Sequence, residues 1–486
     1  MKRRVECAAS TAAKATTLRR ERAVLSRMNS SPMLNRFFKL KENHTDVRTE
    51  LVAGVTTFAT VSYIIFVQPV VLGAAGMDAG AVFTSTCLIT AFATLLMAGL
   101  ANYPIVVAPA MGHNFFFTYA VVLGLGVPWQ MALGAIFFSG IIFIITASFR
   151  FRERIVAAVP ESLKSSIAAG IGLFITLIGM EWAGLVRLSA DTFVTLGDLR
   201  SPPALVGLVG LTATIILMAR NVKGAILFGI VAAALAALPL GVLKVPTAFV
   251  SLPPSVMPTA FRLDIVGAIK QNLFTVIFIF FFLDLFDTVG SLIGLAKQSG
   301  LMKNGEMPRV GRALLADAIG TTGAALTGNT TMVSYIESAS GIAAGGRTGL
   351  TAIVIAALFL AAMFFSPLVS AVSGGYVVNE VILIGGQQVI RTFTLYPITA
   401  SALIVVGSLM MRNVRDIDWD DFTEALPAFL TVAMIPLTFN ITDGIAFGFI
   451  AYALLKLVSG RGREVHWLIY LFAALFVIRY AVPGLH

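Results

Sequence analysis

The chain has 486 residues, of which 57% are hydrophobic and 12% charged, with 35 Lys or Arg, 25 Asp or Glu and 2 Cys. Soluble domains carry about 25% charged residues, so this composition excludes an ordinary soluble protein, and two cysteines exclude a disulfide framework. The net charge of +10 does not signal nucleic acid: residues 1–48 hold 12 Lys or Arg against 4 Asp or Glu, +8 of the total, without the folded module or interleaved aromatics that stack bases.

Residues 1–48 read as a basic cytoplasmic tail with no apolar h-region, hence not a secretory signal. Cys7 lies in this tail and Cys87 in the second apolar run. Runs long enough to cross a bilayer start near Leu51, Ala81, Met131, Ser166, Leu205, Ala225, Ile265, Gly349, Thr399, Ala428 and Gly444, with shorter candidates near Pro109, Ala313 and Thr330. About fourteen spans are predicted. Lys and Arg mark cytoplasmic loops, and they cluster after even-numbered spans: Arg150, Arg152 and Arg154; Arg220 and Lys223; Lys297, Lys303, Arg309 and Arg312; Arg412 and Arg415; Lys456, Arg461 and Arg463. Both ends of a fourteen-span core are therefore expected on the cytoplasmic side. Residues 467–482 are barely long enough to cross, contain Arg479, and read as interfacial or packed alongside the core.

Span eight carries Phe-Phe-Phe-Leu-Asp284-Leu-Phe-Asp287-Thr-Val. An intramembrane carboxylate costs about 2.5–3.5 kcal/mol on insertion scales and is by default a functional-site candidate. Three residues apart, Asp284 and Asp287 share a helix face. A weaker feature is a repeat at about 220 to 225 residues. The span opened by Glu50 matches the Asp284 span, and the interrupted segment from Tyr103 to Tyr119 matches the one from Gly328 to Gly346. Seven spans separate each pair, and an odd number inverts the second half. Inverted repeats with Gly- or Pro-broken segments point to a midplane transport site. Val106 to Val107 and Thr330 to Val333 favour extended backbone before a helix start, which is tolerated at membrane depth only in protein or beside a cavity. Glu337 is expected at the start of the second half-helix and Asn114 at the corresponding place in the first, converging with Asp287. Asp317 and Arg347 fall at predicted span ends and read as structural. His113 reads as a packed histidine before a proton relay.

Five ordered motifs carry a family resemblance: Tyr63-Ile-Ile-Phe-Val-Gln-Pro69, Ala108-Pro-Ala-Met-Gly-His-Asn114, Leu285-Phe-Asp-Thr-Val-Gly290, Ser334-Tyr-Ile-Glu-Ser338 and Ala343-Ala-Gly-Gly-Arg-Thr-Gly-Leu-Thr-Ala352. From about Phe38 to Gly460 the chain resembles the AzgA-like branch of the nucleobase:cation symporters, the adenine, guanine and hypoxanthine permeases of the xanthine/uracil permease superfamily. The resemblance implies an all-α polytopic fold, a seven-plus-seven inverted repeat. Its core domain would comprise residues 49–160 and 263–372 (spans 1–4 and 8–11), and its gate domain residues 161–262 and 373–460 (spans 5–7 and 12–14). Residues 461–486 would form a C-terminal tail.

By motif, Asp287, Glu337, Asn114, Met111 and Asp284 are the implied purine-binding residues, with Asp287 and Glu337 coupling the proton. The implied activity is elevator-type symport of a purine base with H+ in the cell membrane, by a homodimer in lipid, without a resident cofactor or metal. Two alternatives are a uracil or xanthine symporter of the sister branch and an anion exchanger of the same architecture, the latter disfavoured by an acidic site. An enzyme is not expected, since the sequence has no HExxH, no P-loop Gly-Lys-Ser/Thr and no clustered His or Cys. The chain departs from the family at His113-Asn-Phe115, where Leu-Asn-Ala is common, at Gln68 in place of Asn, and in a longer stretch from Gly374 to Leu395.

Overall fold

The computed structural model describes residues 32–147, 159–189, 192–243, 245–299, 302, 307–384 and 387–481. Cys7, Arg150, Arg152, Arg154 and Lys303 lie outside the described residues. A short helix α1 (Pro32–Phe38) precedes α2 (Val47–Val61), which is broken at Ser62 and Tyr63 and resumes as α3 (Ile64–Ala74) to complete span 1. Asp46 caps α2 by accepting from the Thr49 N–H at 2.8 Å, and Asp78 caps α4 (Ala79–Leu96) by accepting from Ala81 N–H at 2.7 Å. Such caps satisfy backbone donors that a helix start leaves orphaned. Span 3 is strand β1 (Val107–Pro109) followed by α5 (Met111–Phe115), which runs on as a π-helix from Phe116 to Gly124.

The chain continues through α6 (Trp129–Ala147), α7 (Glu161–Trp182), a hairpin of β2 (Val186–Ser189) and β3 (Phe193–Leu196), α8 (Pro202–Ala219) and α9 (Ala225–Ala237). A short α10 (Ile265–Lys270) leads into the second half: α11 (Phe274–Ser299), α12 (Val310–Thr327), β4 (Met332–Ser334), α13 (Ser338–Ala343), α14 (Gly349–Ala362) and α15 (Ser366–Ser373). The stretch expected as a long loop is a β5 (Tyr376–Ile384) and β6 (Gln387–Leu395) hairpin, followed by α16 (Pro397–Met410), α17 (Phe422–Thr438), α18 (Ile441–Val458) and α19 (Trp467–Ala481). Nine helices among the described residues are long and apolar enough to cross a membrane. The two half-helix segments, α9, α17 and the less apolar α12 supply the remaining five spans of the seven-plus-seven arrangement. The all-α expectation holds apart from three two-stranded ribbons.

Packing separates the helices into two bodies. α2, α4, α6, α11, α12 and α14 pack on one another, and α7, α8, α9, α16, α17 and α18 form the second group. The first group falls in the residues expected as the core and the second in those expected as the gate. At the C-terminus the second of the two expected placements is seen, with α19 packed alongside other helices. α19 is antiparallel to α18: Tyr470 donates to the Gly462 carbonyl at 2.9 Å and Tyr480 to Asp443 at 2.7 Å, so it runs along α18 from end to end. Phe472 packs on Phe278 and Phe282 of α11 and on Phe449 of α18. α19 carries residue 481 back towards the end of α18 where Asp443 lies.

Candidate functional site

The two extended segments meet at the centre of the core. β1 and β4 pair antiparallel with Val107 opposite Ser334, Ala108 opposite Val333 and Pro109 opposite Met332. The ribbon has only two strands, so its outer backbone groups need other partners at a depth without water. Side chains supply them. The Thr94 hydroxyl receives Val107 N–H at 3.1 Å and donates to its carbonyl at 3.2 Å, and Thr321 does the same for Met332 at 3.0 and 3.3 Å. Ser338 Oγ accepts from Val106 N–H at 3.1 Å.

Below the ribbon sits a buried amide cluster. Gln68 Nε2 donates to Asn329 Oδ1 at 2.8 Å and to Asn114 Oδ1 at 3.2 Å, while Asn329 Nδ2 donates to Thr86 at 2.9 Å. Asn114 donates to Gln68 Oε1 and accepts from Thr330. Gln68, Asn114, Asn329 and Thr330 are all fully buried. The cluster ties span 1 to both broken spans, and its loss would leave several polar atoms unpaired in an apolar interior.

The expected site residues separate here. Glu337 is the residue before the first turn of α13, half-buried, and accepts from the Tyr63 hydroxyl at 2.9 Å. Glu337 immediately precedes α13, whereas Asn114 is the fourth residue of α5. The Asn114 amide is engaged by Gln68 and Thr330 instead of turning towards Glu337. Met111 begins α5 and is buried. On α11, Asp284 and Asp287 face different neighbours. Asp284 is fully buried and accepts from Thr321 at 3.0 Å through Oδ2, with Oδ1 lacking a hydrogen-bond partner. The Asp287 side chain is 43% exposed and has Oδ2 3.8 Å from His113 Nε2 on buried α5. Asp287 thus opens on a space beside the half-helix, whereas Asp284 is sealed between α11 and α12.

Two residues acquire roles the sequence did not show. Asp317, expected at a span end, sits inside α12, fully buried, and accepts from Ser334 of β4 at 3.0 and 3.3 Å. Tyr63 lies at the break in span 1 and reaches Glu337. It was visible in the first motif, but only the fold brings it 274 positions along the chain to its partner. Arg347 has the structural place expected of it: Nη1 donates to the Ile342 and Gly346 carbonyls at 2.7 and 2.8 Å. Among the described residues, no group of three or more His, Cys, Asp or Glu is arranged to hold a metal ion.

A comparison with family models matches residues 48–385 to the xanthine/uracil group described as a permease family. A guanine/hypoxanthine permease of Bacillus subtilis (strain 168) is 43% identical over 447 residues, 91% of this chain and 99% of that one. An adenine permease of Escherichia coli (strain K12) is 41% identical over 455 residues, 93% of this chain and 97% of that one. Among solved structures, the transmembrane domain of a cyanobacterium bicarbonate transporter superposes with a TM-score of 0.58 at 15% identity, covering 82% of this chain and 97% of that domain. That likeness concerns the fold. The match over most of the chain, together with full-length relatives above 40% identity, makes this chain a member of the permease family, in its adenine and guanine/hypoxanthine branch, and a transporter, not an enzyme.

Proposed function

We propose that this permease takes up purine nucleobases with protons across the cell membrane. The base would bind between core and gate, and the core, expected as residues 49–160 and 263–372, would slide in an elevator-like manner against a gate that holds two copies together. The observation that carries the reading is the setting of Asp287, a half-exposed carboxylate on a mostly apolar helix, beside the first half-helix at His113 and near Glu337 of the second. Purines present several N–H donors and no net charge, which suits carboxylate acceptors. An acid in an apolar, water-poor setting also binds a proton more readily than one in water, and close acids titrate as a unit. Asp287 and Glu337 are assigned to the base and to the coupled proton, with Met111 against the ring. Asp284 and Asn114 serve as supports of the site in this conformation.

The test is uptake of labelled adenine, guanine and hypoxanthine in cells lacking purine transport, with all five bases as competitors and an uncoupler as control. Saturable uptake that collapses with the uncoupler, and is lost in Asp287→Asn and Glu337→Gln, is expected. Wild-type uptake by both variants would remove the assignment, and equal competition by uracil would move the chain to the sister branch of uracil and xanthine symporters.

A further inference from the structure

We propose that His113 is a positioning residue for Asp287, held by Thr331 through one ring nitrogen so that the other presents an N–H to the carboxylate. The inference deepens the transport reading and rests on it only for its consequence in uptake. His113 is the third residue of α5 and is 1% exposed. Its Nδ1 lies 2.5 Å from the hydroxyl of Thr331, itself fully buried just before β4. Its Nε2 faces Asp287 Oδ2 at 3.8 Å.

The tautomer follows from the partners. A carboxylate offers only lone pairs when ionised, so a ring nitrogen turned towards it carries the proton, since two acceptors face to face repel. In the neutral ring Nδ1 is then an acceptor, and the hydroxyl of Thr331 can donate to it. The relay runs Thr331 to His113 to Asp287, from the second broken span through the first to span 8. At 3.8 Å the last contact is longer than a hydrogen bond, and a small rotation of either side chain closes it.

The groups that face Asp287 from the surrounding elements are mostly acidic. Asp284 lies on its own helix, Asp317 on α12, and Glu337 with Tyr335 at the start of the second half-helix, while Ser291 bonds the carboxyl from the next turn. Against three carboxyls, the His113 N–H favours the ionised form of Asp287. An apolar residue at 113 would remove that support, and Asp287 would hold its proton to a higher pH.

The experiment measures carbodiimide labelling of Asp287 in the purified full-length protein as a function of pH, read by peptide mass spectrometry, because the reagent attacks the protonated carboxyl. Three variants separate positioning from packing. His113→Leu fills the space without polar atoms; His113→Asn keeps an amide near Nδ1, where Thr331 is; His113→Gln reaches towards Nε2, where Asp287 is. The labelling midpoint is expected to rise by about one pH unit, a tenfold change in proton affinity, in His113→Leu and His113→Asn, and to return towards wild type in His113→Gln. The alkaline limb of the uptake profile should move with it. Identical midpoints in all four proteins would overturn the proposal. A shifted labelling midpoint with an unshifted uptake profile would leave His113 positioning Asp287 and remove Asp287 from proton coupling. Gel-filtration profiles of the variants guard against misfolding, and the Asn-to-Gln contrast survives if the Leu variant does not fold.

Discussion

Replacing Glu50 gives the sharpest test of how the second half-helix is held in place. Glu50 is fully buried in the first turn of α2, and its carboxylate meets the start of α14. Oε1 accepts from Arg347 N–H at 2.9 Å, and Oε2 accepts from Thr348 N–H at 3.3 Å, Thr351 N–H at 3.1 Å and Thr351 Oγ1 at 2.6 Å. Gly349 N–H goes to Asn102 at 2.7 Å and Leu350 N–H to Thr348 Oγ1 at 3.3 Å, so every orphan donor at this helix start is satisfied. A negative charge at this end also complements the helix dipole. Four bonds to a charged acceptor, at about 1.5 kcal/mol net each, put Glu50→Ala at about 6 kcal/mol. Glu50→Gln keeps one oxygen and loses the charge, for about 2 to 3 kcal/mol. With an unfolding entropy of about 2.1 cal/mol/K per residue, 1 kcal/mol is about 1 °C in a chain of this size, giving a drop of at least about 6 °C for the Ala variant. The assay is thermal unfolding in detergent, with purine uptake alongside. Because Arg347 and the short connection after α13 are anchored by the same carboxylate, uptake should fall with stability. An Ala variant that melts with wild type would refute the capping argument.

Gly112 faces α7 so closely that a Cβ there would lie 2.8 Å from Ile171 Cγ2; Gly112→Val is expected to slow uptake at least tenfold while the protein still folds, as seen by uptake rate against surface abundance. Asp421 is held well below the usual carboxylate range, first by the Thr423 side chain and then by Arg461, whose guanidinium donates to it at 2.5 Å. A depressed folded value means its stabilisation is complete above the unfolded value near about 3.9 and is lost only as pH falls below that. Asp421→Asn should therefore lower melting temperature equally between pH 5 and pH 8 and leave the pH profile of uptake unmoved, as melts and uptake across that range would report. The path of α19 predicts that tags at the two chain ends lie on opposite faces, which protease protection in oriented vesicles checks; protection of both together would make α19 a surface helix.

The sequence by itself determined the solvent, the span count and the repeat. These are one-dimensional properties: apolar run length, the parity of Lys and Arg clusters, and a 225-residue echo of broken segments. It also marked Asp287 and Glu337, because acids in apolar runs are costly wherever they point. Direction was another matter. Asp284 and Asp287 share a helix by spacing, yet a 60° difference between positions i and i+3 is enough to give them separate neighbours in α12 and α5. Asn114 was aligned with Glu337 by counting, yet it is the fourth residue of α5 while Glu337 precedes α13. The partners that decide each group's chemistry, Tyr63 for Glu337, Thr331 for His113, Ser334 for Asp317 and the backbone of α14 for Glu50, come from 17 to 301 positions away. No local pattern encodes such a meeting; it exists because two inverted halves lay their broken helices against each other, and only the tertiary structure decides which hydroxyl or amide arrives.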